Sequence, residues 1–122
     1  MFRILYVEDD VVLQLDGEAS LLAAGYDVVL ASDGPSACAC LRDPGASFDG
    51  LITDIDLGGA LKGWEVADVG RALTARLSVV YVTGAAGHDF LSMGVPHSLM
   101  VPKPFTWAAI VSSLSGLMAA AA

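Results

Sequence analysis

The sequence predicts a doubly wound α/β fold in which five parallel strands are covered on both faces by five helices, as a single domain over residues 1–122. Three observations predict it. Short β-rich apolar runs alternate with longer stretches of helical spacing along the whole chain, the order that builds a parallel sheet. The runs are apolar throughout rather than alternating, as strands buried on both faces must be. Right-handed crossovers between parallel strands then leave a three-layer sandwich as the natural solution.

Each element has its own signal. Arg3 to Val7 is the first strand, ending in Glu8-Asp9-Asp10. Val11 to Ala24 is helical, with Asp10 as N-cap, Leu13, Leu21 and Leu22 on its buried side, and Gly25 where a C-terminal cap belongs. Asp27 to Leu30 is the second strand. Ser32-Asp33-Gly34-Pro35 opens a helix running to Arg42, since proline is favoured in a first turn, and Pro44-Gly45 ends it. Gly50 to Thr53 is the third strand and stops at Asp54. After the Gly58-Gly59 turn, Trp64 to Ala75 is helical, with Val66, Val69 and Leu73 at spacings of three and four. Ser78 to Val82 is the fourth strand, closed by Thr83-Gly84. His88 to Met93 is a short helix, and Leu99 to Val101 is the fifth strand. Pro102-Lys103-Pro104 leads into the last helix, Phe105 to about Ala119, whose apolar face carries Trp107, Ile110, Leu114, Leu117 and Met118. Ala119 to Ala122 reads as a frayed end.

Composition narrows the function. Apolar residues make up 55% and charged residues 16%, so the chain is globular. A net charge of −8 with six scattered basic residues excludes a nucleic-acid partner, because no cluster exists to neutralise phosphates. Cys38 and Cys40 would point to nearly opposite sides of a helix, which suits neither a disulfide nor a metal pair. No apolar stretch reads as a signal peptide or reaches the ~20 residues of a membrane span, so a soluble, cytoplasmic protein is expected. His88 and His97 lack metal-ligand spacing and read as surface residues.

In a doubly wound sheet, functional groups gather at the carboxyl ends of the strands. Glu8 and Asp9 follow the first strand, Asp54 the third, Thr83 the fourth and Lys103 the fifth. Three carboxylates, a hydroxyl and an ammonium therefore converge from four strand ends. Crowded carboxylates resist ionisation together, and a hard divalent cation such as Mg²⁺ resolves the conflict. Asp54 is then a carboxylate nucleophile toward a phosphoryl group, with Thr83, Lys103 and the metal positioned to stabilise phosphoryl oxygens. Neither a P-loop nor G-x-G-x-x-G is present, so the phosphoryl donor is another protein or a small phosphodonor.

The set Val7-Glu8-Asp9-Asp10, Asp54, Thr83 and Lys103-Pro104-Phe105 resembles the receiver domain of response regulators, over essentially the whole chain. The resemblance implies a flavodoxin-like fold and a two-component or phosphorelay function. It implies Asp54 as phosphoacceptor, with Mg²⁺ ligated by Asp9, Asp54 and the Asp56 backbone carbonyl, and by Glu8 through water. It further implies Thr83 and Lys103 as phosphoryl contacts, and a cis peptide before Pro104, X–Pro being the bond where cis is cheap. The expected partners are a sensor histidine kinase or histidine phosphotransferase and an unknown downstream protein, met through the 84–118 region. A stand-alone regulator is expected, monomeric or dimerising on phosphorylation. Beyond its own phosphorylation and dephosphorylation it is not an enzyme.

Two departures from the family pattern stand out. The segment from Asp54 to Ala67 lacks the usual proline and is longer by a residue; with Val80 to Gly84 it is similar to the alphaproteobacterial "FAT GUY" receivers, except that Ala85 replaces an aromatic. Met100 stands where receivers carry a switching tyrosine or phenylalanine. Two other readings remain open on the residues alone. One is an unphosphorylated interaction module, favoured by Met100. The other is a phosphohydrolase of haloacid-dehalogenase type, which Asp54-Ile55-Asp56 mimics.

Overall fold

The computed structural model describes residues 1–84 and 89–121. The expectations placed on Ala85, His88 and Ala122 lie outside the described residues. Strands β1 (Arg3–Val7), β2 (Asp27–Ala31), β3 (Gly50–Asp54), β4 (Ser78–Thr83) and β5 (Ser98–Pro102) alternate with helices α1 (Val11–Ala23), α2 (Gly34–Arg42), α3 (Gly63–Leu73), α4 (Phe90–Met93) and α5 (Trp107–Ala121). All pairings are parallel and the order is β2-β1-β3-β4-β5. This is the doubly wound, flavodoxin-like arrangement the alternation predicts. Its topological switch lies between β1 and β3, where such sheets open a crevice at their carboxyl edge.

The period of two along each strand divides the core into two layers. Leu5, Val7, Leu51, Val79 and Tyr81 face α2 and α3, joined by Ala37, Cys38, Trp64, Val66 and Ala67. Ile4, Tyr6, Ile52, Val80 and Val82 face α1 and α5, meeting Leu21, Ile110, Leu114 and Met118. Each fully buried side chain of this size contributes roughly 1.5–3 kcal/mol. The central strands β3 and β4 are buried at every position, while the edge strands β2 and β5 are half covered.

The ends of the helices follow local chemistry. Asp10 caps α1 by accepting from the amides of Val12 and Leu13, and Asp33 caps α2 through Ser36, with Pro35 in the first turn. Gly25, at φ +93°, ends α1 in a backbone region that side chains disfavour. Gly17 lets α1 approach the rings of Tyr6 and Trp107, where a β-carbon would collide with both.

Two helix faces differ from expectation. Leu22 is exposed, because Gly17 and Leu21 set the buried line of α1 and Leu22 lies about 100° around from it. Leu73 is also exposed; α3 ends there, and Leu77 packs beneath Gly70 instead. Cys38 is buried, Cys40 is half-buried, and both are free thiols.

Candidate functional site

The end of β1 delivers the first carboxylates. The sheet continues one residue past the strand, as the Glu8 amide donates to the Ala31 carbonyl at 3.0 Å. Glu8 is thereby drawn inward and buried, whereas Asp9 is exposed and Asp10 is taken up in capping α1. The end of β3 places Asp54 in the same crevice, with only 7% of its surface exposed. From the other side, β4 ends at Thr83, which is buried, and its carbonyl accepts from the Lys103 amide at 2.7 Å. The peptide bond between Lys103 and Pro104 is cis.

Oxygens of Glu8, Asp9 and Asp54 all lie within 4.8 Å of one another. Lys103 Nζ stands 2.8 Å from Asp54 Oδ2 and 3.8 Å from Glu8 Oε1. Two of the three carboxylates therefore pair with one ammonium. Burial pushes Glu8 up to about 8, and the nearby Asp54 charge adds to the rise. Burial alone would lower Lys103; its hydrogen bond to Asp54 and the surrounding carboxylates outweigh this and hold the ammonium above its ordinary range. An oxygen-only donor set with excess negative charge suits a hard divalent cation, and these residues fit Mg²⁺.

The loop after β3 is built around this crevice. The Ile55 amide donates to the Val82 carbonyl at 3.1 Å, pinning the strand end. Asp56 is exposed, and its side chain accepts from the Gly58 amide at 3.4 Å. Gly58 has φ +76°, and a β-carbon there would lie 3.6 Å from Asp9 Oδ2. Gly63 packs against the backbone of Asp54 and Ile55 so closely that a β-carbon would stand 2.9 Å from Ile55 Cα, and its amide donates to the Ile55 carbonyl at 2.8 Å. Glycine at 63 is thus a condition for the loop geometry.

The crevice brings together Glu8, Asp9, Asp54 and Lys103, with Thr83 beside Lys103 on the neighbouring strand end. Met100 lies elsewhere: it is half-buried on β5, register partner of Tyr81, and packs into the layer facing α2 and α3. His97 is an exposed residue at φ +57°. Sequence reasoning missed Gly63, Gln14, whose side-chain amide donates to the Glu8 carbonyl and to Ser32 Oγ, and Tyr81, whose hydroxyl accepts from the Val95 amide. The unusually glycine-rich stretch from 58 to 63 was the available signal for the first; the other two rest on contacts between distant segments.

Fold and crevice together define a flavodoxin-like α/β domain with an acidic crevice crossed by a lysine at its switch point. No family model and no curated protein sequence matches the chain. Among solved structures, a response regulator receiver protein from Sinorhizobium medicae WSM419 is 37% identical, with a TM-score of 0.95, covering 99% of this chain and 97% of that one. The chain belongs to the response regulator receiver family. The receiver domain of a sensor histidine kinase from Pseudomonas aeruginosa PAO1, with a magnesium ion coordinated in its active-site cleft, is 28% identical at a TM-score of 0.79 and covers 97% of this chain and 98% of that one. A receiver domain protein from Methanospirillum hungatei JF-1, at 22% identity, TM-score 0.87 and coverage of 99% and 96%, shares the fold. Among the described residues no helix is long and apolar enough to cross a membrane.

Proposed function

We propose that this receiver accepts a phosphoryl group on Asp54 from a phosphohistidine donor, a histidine kinase or histidine phosphotransferase, and signals through protein contacts in its 84–118 region. The observation that carries the reading is Asp54 itself: a nearly buried carboxylate at a strand end, clustered with Glu8 and Asp9 and held by Lys103 at 2.8 Å. Asp9, Asp54 and the Asp56 carbonyl, with Glu8 behind them, would hold Mg²⁺, which when bound supplies positive charge to the phosphoryl oxygens.

An oxygen of Asp54 forms the new bond to phosphorus as the donor's P–N bond breaks, and the imidazole leaves and takes up a proton from solvent. The product is an acyl phosphate. Lys103 holds the Asp54 carboxylate at 2.8 Å beforehand and afterwards pairs with a phosphoryl oxygen; Thr83, whose carbonyl is tied to the Lys103 backbone, offers its hydroxyl to another. Hydrolysis of the acyl phosphate by water resets the domain, so turnover is limited to its own phosphate. The proline-free loop from Asp54 to Gly63 supports placing the chain in the FAT GUY group. A cytoplasmic regulator, monomeric or dimerising on phosphorylation, completes the proposal.

Incubation with acetyl phosphate and Mg²⁺, followed by intact mass, tests it. One phosphoryl group should be gained by the wild type and none by Asp54→Ala. Equal uptake by both proteins refutes the assignment, and sustained hydrolysis of small phosphate esters would move the chain to the phosphohydrolase class.

A further inference from the structure

Without an aromatic at position 100, the crevice needs another route to the surface. The helix α4 has no buried residue; Leu91 and Met93 are exposed, and its partly buried Phe90 sets its ring 6.0 Å from Tyr81, at 70°. The turn after α4 is held by side chains from below. Tyr81 accepts from the Val95 amide at 3.0 Å, and the Arg71 guanidinium donates to the carbonyls of Pro96 and His97. Tyr81 is wholly buried, two residues before Thr83 on β4, and thus grips both the start and the end of the α4 segment.

Tyr81 also meets the start of α3. Its ring lies 4.7 Å from Trp64, tilted by 58°. Trp64 follows Gly63, which is wedged against the Asp54 and Ile55 backbone without room for a β-carbon. A displacement of the Asp54–Ile55 backbone must therefore move Gly63 and Trp64, because close-packed interiors transmit shifts and do not absorb them. Trp64 is buried and cannot move without moving Tyr81. The α4 segment, with no fully buried residue of its own, is the element least held by packing and so the one such coupling would move.

We infer that Tyr81 is the positioning residue that carries a change at Asp54 to the α4 segment, along Gly63, Trp64 and Phe90 and not through β5. The inference rests on the phosphoacceptor reading above. Met100, beside Tyr81 in register, is a flexible side chain with no hydroxyl to hold Val95, and it serves as packing.

The test uses backbone amide NMR of the full chain with Mg²⁺, with and without beryllofluoride. In the wild type, shifts should change at Ile55 and Gly63 and also over Phe90 to Val95. In Tyr81→Leu the first set should keep its size while the second falls about fivefold. Tyr81→Phe, which keeps the ring and loses only the bond to Val95, should restore the response of Phe90 to Met93 but not that of Val95. If Tyr81→Leu does not fold, Phe90→Ala, altering a partly exposed residue, should leave the Ile55 and Gly63 changes intact and uncouple α4. Full wild-type changes over residues 91 to 95 in these variants overturn the inference alone, as does their loss in Met100→Ala with Tyr81 intact. No change at Ile55 and Gly63 in the wild type overturns the phosphoacceptor reading, and the inference with it.

Discussion

The ammonium of Lys103 lies 2.8 Å from Asp54 Oδ2 and 3.8 Å from Glu8 Oε1, so one cation serves two buried carboxylates. Removing it deprives Asp54 of its hydrogen-bonded cation and Glu8 of a nearby one. Breaking a fully buried pair costs 3–5 kcal/mol, and the partial exposure of Lys103 reduces this by screening. Lys103→Ala should therefore lose about 2 kcal/mol in urea unfolding without metal, with much of the loss recovered in saturating Mg²⁺. An unchanged midpoint in chelator would mean that Lys103 does not hold the carboxylates together.

Asp9 contributes differently. It is exposed, its oxygen reaches the cluster, and the ion pairs of Lys103 run to the other two carboxylates. Asp9→Asn should weaken Mg²⁺ binding by about tenfold or more, a loss of one charged oxygen ligand. Metal-free stability should hold or rise slightly as repulsion eases. A calorimetric Mg²⁺ titration checks the first part, and retained affinity removes Asp9 from the site.

Gly63 has no room to change. Its missing side chain would enter the backbone of Asp54 and Ile55, which cannot step aside as a flexible side chain could. Gly63→Ala should cost about 2–3 kcal/mol, the upper range for forced overpacking, and should slow phosphoryl uptake by displacing Asp54. Gly59→Ala, with open space around its β-carbon, is the matched control and should change neither.

The sheet was legible in the sequence because its central strands carry continuous apolar runs, Leu51-Ile52 and Val79 to Val82, a signal that survives any error about helices. The crevice was legible for a related reason: polar residues ending apolar strands of a doubly wound sheet share one edge whatever the helices do. Helix faces were less so. Leu21 and Leu22 are adjacent in sequence and chemically identical, and only Gly17, meeting Tyr6 and Trp107, decides which of them turns inward. Tyr81 read as one more apolar strand residue, since the amide that its hydroxyl receives belongs to Val95, in the turn after α4. Contacts of that kind follow from three-dimensional register and leave no local pattern.

The burial of Glu8 makes the last prediction, because it sets a sign. Its carboxyl is pushed up to about 8 in the folded protein by burial and by Asp54, against an ordinary value of 4.5. Between these values the folded chain keeps a proton that the unfolded chain has released. Stability must then fall as pH rises across that window, since the unfolded state binds fewer protons than the native one. This is opposite to the behaviour of a salt-bridged carboxylate with a depressed value. In chelator, the melting temperature should drop from pH 5 to pH 8 on the order of 5 °C or more, and Glu8→Gln should flatten the profile by removing the titrating group. Saturating Mg²⁺ should reduce or reverse the slope, because a cation favours the ionised cluster and binds better as protons leave. Thermal melts at pH 5, 6.5 and 8, with and without Mg²⁺, decide it. A metal-free profile that is flat or rises with pH in the wild type would show that Glu8 is ionised in the folded protein throughout, and that Lys103 alone suffices for the cluster.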